Sequence, residues 1–307
     1  MASIYVKDTN PKISDIQYFF NKIGTRADND DLNKIREKCL HYLPIITREY
    51  LENIEYGQNW TKLKDNFNKL LLEIGPKKPY DNFVISRKGG MNNNYDYEFL
   101  FEEFKEPIMK LKIEFKFNNN NITKLPQFLE LYDCKVNLCS ITYTAYFYST
   151  YLDSYLKTDV DLNNTKISFE TYSKYVIDIN YKHPFFNLLY SRKDFYKKDK
   201  HAIVHESIKN YIYSFHKLFN FTDIENKIRE QYEKIYLLWD NDKFITHKVD
   251  TSRIKINNII VIRDKYFDVE VNEIDYNIRF RINWGNNNGI ANPRWKLSYI
   301  KKNNVIF

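Results

Sequence analysis

The chain has 307 residues, 43% of them hydrophobic and 28% charged, which is enough for one large domain or two modest ones with ordinary apolar cores. A formal charge of +7 suits a polyanionic partner, and no apolar run approaches the roughly 18 residues of a membrane helix, so no membrane span is expected. The opening MASIYVKDTNPK lacks an apolar signal core, and Cys39, Cys134 and Cys139 give no pairing framework, so the chain reads as intracellular with reduced thiols.

In chain order, Ser14 and Gln17 resemble a capping box that opens a helix over IQYFFNKI. Further helices are expected over 31–41, before Pro44, and over 47–55, before Gly57; together they make a helical N-terminal segment, 1–58. In NWTKLKDNFNKLLLEIGP, Leu63, Phe67, Leu70, Leu71 and Ile74 recur at spacings of three and four, with Gly75 and Pro76 as a stop. NFVIS (82–86) reads as a strand. RKGGMNNN (87–94) is a loop whose Arg87 and Lys88 either hold phosphate or decorate a solvated turn. NYDYEFLF (94–101) and IMKLKIEFKF (108–117) are strands joined by EEFKEP as a hairpin. LPQFLELY (125–132) reads as a short helix with Pro126 at its first position, and CKVNLCS (134–140) as a strand.

The chemistry concentrates in this stretch. Leu111, Ile113, Phe115 and Phe117 alternate with Lys112, Glu114 and Lys116, so Glu114 and Lys116 share a strand face at about 7 Å along the chain. The hairpin would bring Asp96 alongside Glu114. Two carboxylates suit a hard Mg²⁺ ion, which takes oxygen ligands together with water and phosphate, and an adjacent lysine can orient or help deprotonate a water. The plainer alternative is the wet face of an amphipathic strand. Glu98 shares a face with Asp96 and competes with it for the acidic role.

The order helix, three strands, helix, strand, with Asp96 on the second strand and Glu114–Phe115–Lys116 on the third, resembles the PD-(D/E)XK nuclease superfamily over residues 59–142. Gln127 and Tyr132 resemble the Gln-and-Tyr element of its RecB-like branch, with one residue more between them than usual. The resemblance implies that Asp96, Glu114 and the Phe115 carbonyl hold Mg²⁺ or Mn²⁺. It implies that Lys116 positions the water and that Gln127 orients a carboxylate or contacts phosphate. It also implies a further acid from the first core helix, for which Glu73 is the candidate, with Glu52 or Glu55 behind it.

Beyond the core, residues 143–250 read as helical, with helices over 141–156, 164–179, 199–219 and 222–239; Glu225 completes a capping box with Thr222. His201 and His205 are spaced for a metal but lack a third ligand. KHPFFNLLYSRKDFYKKDKH (182–201) mixes aromatics with cations. In the last segment, 251–307, IKINNIIVIR, YFDVEV, YNIRFRINW and RWKLSYI read as a small antiparallel sheet. Arg279, Arg281 and Arg294 are its candidate nucleic-acid contacts, or else its wet side.

The expected fold is therefore α/β, with a restriction-endonuclease-like αβββαβ core and mixed sheet, helical N-terminal and central segments, and a C-terminal antiparallel sheet. The expected function is a metal-dependent nuclease, a restriction-like endonuclease acting on double-stranded DNA; the alternative is a nucleic-acid-binding protein that keeps a nuclease-like fold without cutting. Cleavage of both strands of a palindrome would favour a homodimer.

Overall fold

The structure, a computed structural model, describes residues 13–20, 26–88, 94–117, 120–157, 166–177, 201–284 and 293–302. Its helices are α1 (Ile16–Phe19), α2 (Arg26–Tyr42), α3 (Arg48–Glu52), α4 (Gly57–Ile74), α5 (Tyr143–Thr150), α6 (Leu152–Leu156), α7 (Phe169–Ile177), α8 (His201–Phe215) and α9 (Thr222–Arg229). Its strands are β1 (Asn82–Arg87), β2 (Tyr97–Glu103), β3 (Glu106–Phe117), β4 (Leu129–Tyr132), β5 (Lys234–Asp240), β6 (Lys243–Lys248), β7 (Ile256–Arg263), β8 (Tyr266–Val271), β9 (Tyr276–Trp284) and β10 (Pro293–Lys301). The protein is α/β, with one mixed five-stranded sheet and one antiparallel five-stranded sheet.

The chain forms two compact units. The first comprises 1–124 and 233–249, the second 125–232 and 250–307. In the first, the sheet order is β1-β2-β3-β5-β6, with every neighbour antiparallel except β3 and β5. Alternate residues of each strand turn to one face: Phe83 and Ile85; Phe99 and Phe101; Ile113 and Phe115; Leu237 and Trp239. They pack with Trp60, Leu63, Phe67 and Leu70 of α4 and with Phe19, Cys39 and Leu40 in one core. The spacing of three and four along α4 is what lets a single helix face meet that surface.

Three elements differ from the sequence reading. The helix expected over 125–132 is instead strand β4, which pairs with β10 through Leu129↔Leu297 and Leu131↔Trp295; Phe128 stacks on Tyr299 at 4.0 Å. The strand expected over 134–140 is replaced by a 3-10 turn, Asp133–Lys135, and irregular chain. A four-residue LELY has too little length to reveal its period, and the ladder to β10 decides its state. The helix expected over 222–239 ends at Arg229, and 234–240 is β5. All but the last residue of β5 is buried, so both of its faces are covered and its middle, Ile235–Trp239, is a continuous apolar run with no alternation. The basic run 182–200, Gly89 and Gly90 lie outside the described residues.

In the second unit, the antiparallel sheet has the order β4-β10-β9-β8-β7, and Phe267, Val269, Ile278, Phe280, Trp295 and Leu297 are buried. Asp133, 2% exposed, joins this sheet to α5. Its carboxylate accepts from Thr144 N at 2.7 Å, Thr144 Oγ1 at 3.0 Å and Trp295 Nε1 at 2.9 Å. Burial nevertheless raises its pKa. Asp133→Ala leaves three buried donors without an acceptor and is expected to lower stability by about 3 kcal/mol in urea unfolding. A loss below about 1 kcal/mol would mean that water replaces the carboxylate.

Candidate active site

The site grows from the β2–β3 hairpin. Phe104 and Lys105 take positive φ values of 52° and 67°, the signature of a tight two-residue turn between the paired Glu103 and Glu106. This register sets Tyr97 opposite Ile113 and Glu98 opposite Lys112. Asp96 extends the ladder by one step, its N–H donating to the Ile113 carbonyl at 2.9 Å. Asp96 Oδ2 then accepts from the Phe115 N–H at 2.8 Å, which fixes the carboxylate beside the row of Glu114 and Lys116. On the other side of β3, parallel β5 sets Lys234 opposite Lys112.

Four side chains meet there. Lys116 pairs with Glu114 Oε1 and lies 4.0 Å from Asp96 Oδ2. Lys234 Nζ is 3.0 Å from Glu114 Oε2. Side-chain exposure is 21% for Asp96, 13% for Glu114 and 1% for Lys234, so the charges are largely stripped of water. The two carboxylates are not equivalent. Burial alone would raise Glu114, but Lys234 and Lys116 outweigh it and hold its pKa below the usual value. Asp96 is pushed up to about 7, first by burial and then by the charge of Glu114. Lys116 loses water too, which alone would lower its pKa, yet Glu114 and Asp96 raise it on balance. Lys234 is lowered by burial despite Glu114.

A third carboxylate acts on this cluster, and the sequence does not mark it. Glu37 of α2 adds to the rise at Asp96 and supports the charge on Lys116. It pairs with Arg87 at 2.9 Å, and its backbone carbonyl accepts from the Tyr97 hydroxyl at 2.7 Å. The adjacent Arg36 holds α2 in place by bonding to the Phe19 carbonyl at 3.1 Å and lying over the Phe117 ring at 3.5 Å. Glu37→Gln is therefore expected to lower the Asp96 pKa. Carboxyl-carbon NMR titration checks this, and an unmoved Asp96 midpoint would remove Glu37 from the site.

The other candidates are placed as follows. Glu98, opposite Lys112, is engaged by Lys110 at 3.0 Å and Lys88 at 3.6 Å. Glu73, at the end of α4, accepts from the Thr246 hydroxyl on β6, while Glu52 and Glu55 are exposed. Phe115 gives its N–H to Asp96 and its ring to the core. Gln127 belongs to the second unit, where it donates to Glu130, and Glu130 also holds Arg294 at 2.7 Å and Lys296 at 3.3 Å. Arg279 forms a two-point pair with Asp268 at 2.7 and 2.8 Å. Arg281 lies 6.0 Å from the Tyr266 ring. Lys234, absent from the sequence reading, had one available signal: IYLLW is five consecutive apolar residues, as in a strand buried on both faces.

Among the described residues, no group of three or more His, Cys, Asp or Glu side chains is disposed to hold a metal ion. The pair that does meet, Asp96 and Glu114, matches the smaller donor set of Mg²⁺, which takes one or two carboxylates and completes its shell with water and phosphate. The raised Asp96 is a carboxylate whose charge the local cations do not fully offset, and a divalent ion would do so. No protein-family model, curated protein or solved structure matches the chain.

Proposed function

We propose that this protein is a metal-dependent nuclease that hydrolyses phosphodiester bonds, with Asp96, Glu114 and Lys116 as its working groups and double-stranded DNA as its substrate. The observation that carries this reading is their convergence: Lys116 lies within reach of both carboxylates in a dehydrated cluster on the β2–β3 hairpin. The start of a restriction-endonuclease-like order is supported by α4, β1, β2 and β3, with β5 of the same unit following only after residues 125–232 of the second unit.

Bound Mg²⁺ or Mn²⁺ would supply a Lewis acid for the phosphoryl oxygen and an activated water. Asp96 and Glu114 would hold it. Lys116 is charged at neutral pH, so it holds the nucleophile and stabilises negative charge as it develops rather than taking a proton. Lys234 keeps Glu114 ionised and fixes the direction of its Oε2.

The second reading, a nucleic-acid-binding protein that does not cut, has its own observation. Glu114 is already bonded by two lysines, and the carboxylates of Asp96, Glu114 and Glu37 face Lys116, Lys234 and Arg87 in equal number. Incubation of supercoiled plasmid with the full chain separates the two. Nicking or linearisation in Mg²⁺ or Mn²⁺ that stops in EDTA is expected. Intact plasmid under all of these conditions, with salt-sensitive retention of the DNA, selects the second reading.

A further inference from the structure

The antiparallel sheet of the second unit carries a row of directly opposed residues across all five strands: Arg263 on β7, Tyr266 on β8, Arg281 on β9, Lys296 on β10 and Glu130 on β4. Directly opposed residues share a face, so this row lies on one side of the sheet. The cations on that face and at the β7–β8 turn fall into two groups. Arg279 is spent on Asp268, and Arg294 and Lys296 are spent on Glu130. Arg263, Lys265 and Arg281 are exposed and have no carboxylate partner among the described residues.

These three cations line a cleft of about 700 Å³ together with Tyr266 and, from α8, His205 and Tyr213. One acid, Asp264, lines it as well, and Lys209 lies 3.4 Å from that carboxylate. Tyr266 is braced by the Arg279 guanidinium 3.7 Å above its ring, whereas Tyr213 is 48% exposed and presents an open aromatic surface. Uncompensated guanidinium and ammonium groups call for an anion with several acceptor oxygens. Aromatic walls beside them call for a planar group attached to that anion. A nucleotide supplies both; an acidic peptide supplies only the first.

We propose that this cleft binds a single-stranded stretch of nucleic acid, with Arg263, Lys265 and Arg281 on its phosphates and a base stacked on Tyr213. The proposal shares its ligand class with the nuclease reading but does not need cutting, and the cleft lies wholly within the second unit.

The test is fluorescence anisotropy with a labelled single-stranded oligonucleotide, in EDTA, on the full chain at several salt concentrations. Lys265→Glu/Arg281→Glu is expected to weaken binding at least thirtyfold at low salt. It should also flatten the slope of log K against log salt by about 1.4, the contribution of two phosphate contacts to a single strand. Tyr213→Ala is expected to weaken binding at least fivefold and leave the slope unchanged. All three side chains are exposed, so circular dichroism and the melting midpoint should match those of the wild type. Wild-type protein that fails to bind the oligonucleotide, variants that bind as well as wild type, or equal competition by polyglutamate would each overturn the proposal. Plasmid cleavage run in parallel separates the two readings. Cleft-dependent binding without cutting removes only the nuclease, and cutting with affinity unchanged in the cleft variants removes only the cleft.

Discussion

Asp96→Asn is expected to abolish metal-dependent cleavage and, in the same molecule, to make the metal-free protein more stable. The two effects have one cause. Asp96 titrates near pH 7 in the folded chain against 3.8 for an ordinary aspartate, because burial and Glu114 both oppose its charge. The folded state therefore binds more protons than the unfolded state between those values, and its stability falls as pH rises from about 4 to about 7 before levelling. A shift of that size corresponds to about 4 kcal/mol at most, and Asp96 keeps one-fifth of its surface in water, so about 2 kcal/mol is expected from Asp96→Asn at pH 8. The gain should vanish below pH 4, where the aspartate is protonated in both states. The amide oxygen still accepts from the Phe115 N–H, so the local backbone is kept. Thermal melts in EDTA across this pH range give the stability, and plasmid cleavage in Mn²⁺ gives the activity. Mn²⁺ should raise the melting midpoint of the wild type at pH 8 and leave that of the variant unmoved. A variant that is less stable at pH 8 would show Asp96 to be an ordinary structural acid.

Glu114→Gln is expected to lose cleavage as well, with the opposite sign on stability. Glu114 is the counter-ion of Lys234, which has 1% of its side chain exposed, and its removal strands an ammonium away from water. Breaking one side of a buried ion pair costs about 3 kcal/mol or more. Lys234→Met in the same chain fills the space with apolar atoms and should return most of that stability, while cleavage stays absent. Urea unfolding of the two single variants and the double variant forms the cycle. Recovery of cutting in the double variant would show that Glu114 serves Lys234 alone and has no part in the chemistry.

The parts of this site that the sequence displays are those on half-buried strands. Along β3, one face is core and the other polar, so Glu114 and Lys116 declare their common side by alternation, and the short EEFKEP link brings Asp96 beside them. Lys234 is hidden because β5 is covered on both faces, which erases the period of two, and a capping-like Thr222 and Glu225 upstream favour carrying the helix on. Glu37 is hidden for another reason. It reaches the cluster through contacts between residues far apart in sequence: Arg36 over Phe117, and Arg87 and Tyr97 on Glu37 itself. For β4, LELY fits a helix or a strand equally well, and only its pairing with β10 decides. Gln127 follows β4 into the second unit, where Glu130 takes its amide.

The parallel pairing of β3 with β5 has a consequence for the order in which the protein is made. A ribosome delivers β1, β2 and β3 early, yet the neighbour of β3 arrives only after the whole of 125–232 has been synthesised. Until then the backbone N–H and C=O groups along one edge of β3 stand unpaired, and an open strand edge invites pairing with other nascent chains. The growing chain also lacks Lys234, so Glu114 has only one of its two cations and the charge cluster is incomplete. A polypeptide cut short before residue 233 would thus be prone to aggregate, and the charge cluster on β3 is completed only when translation has passed β5.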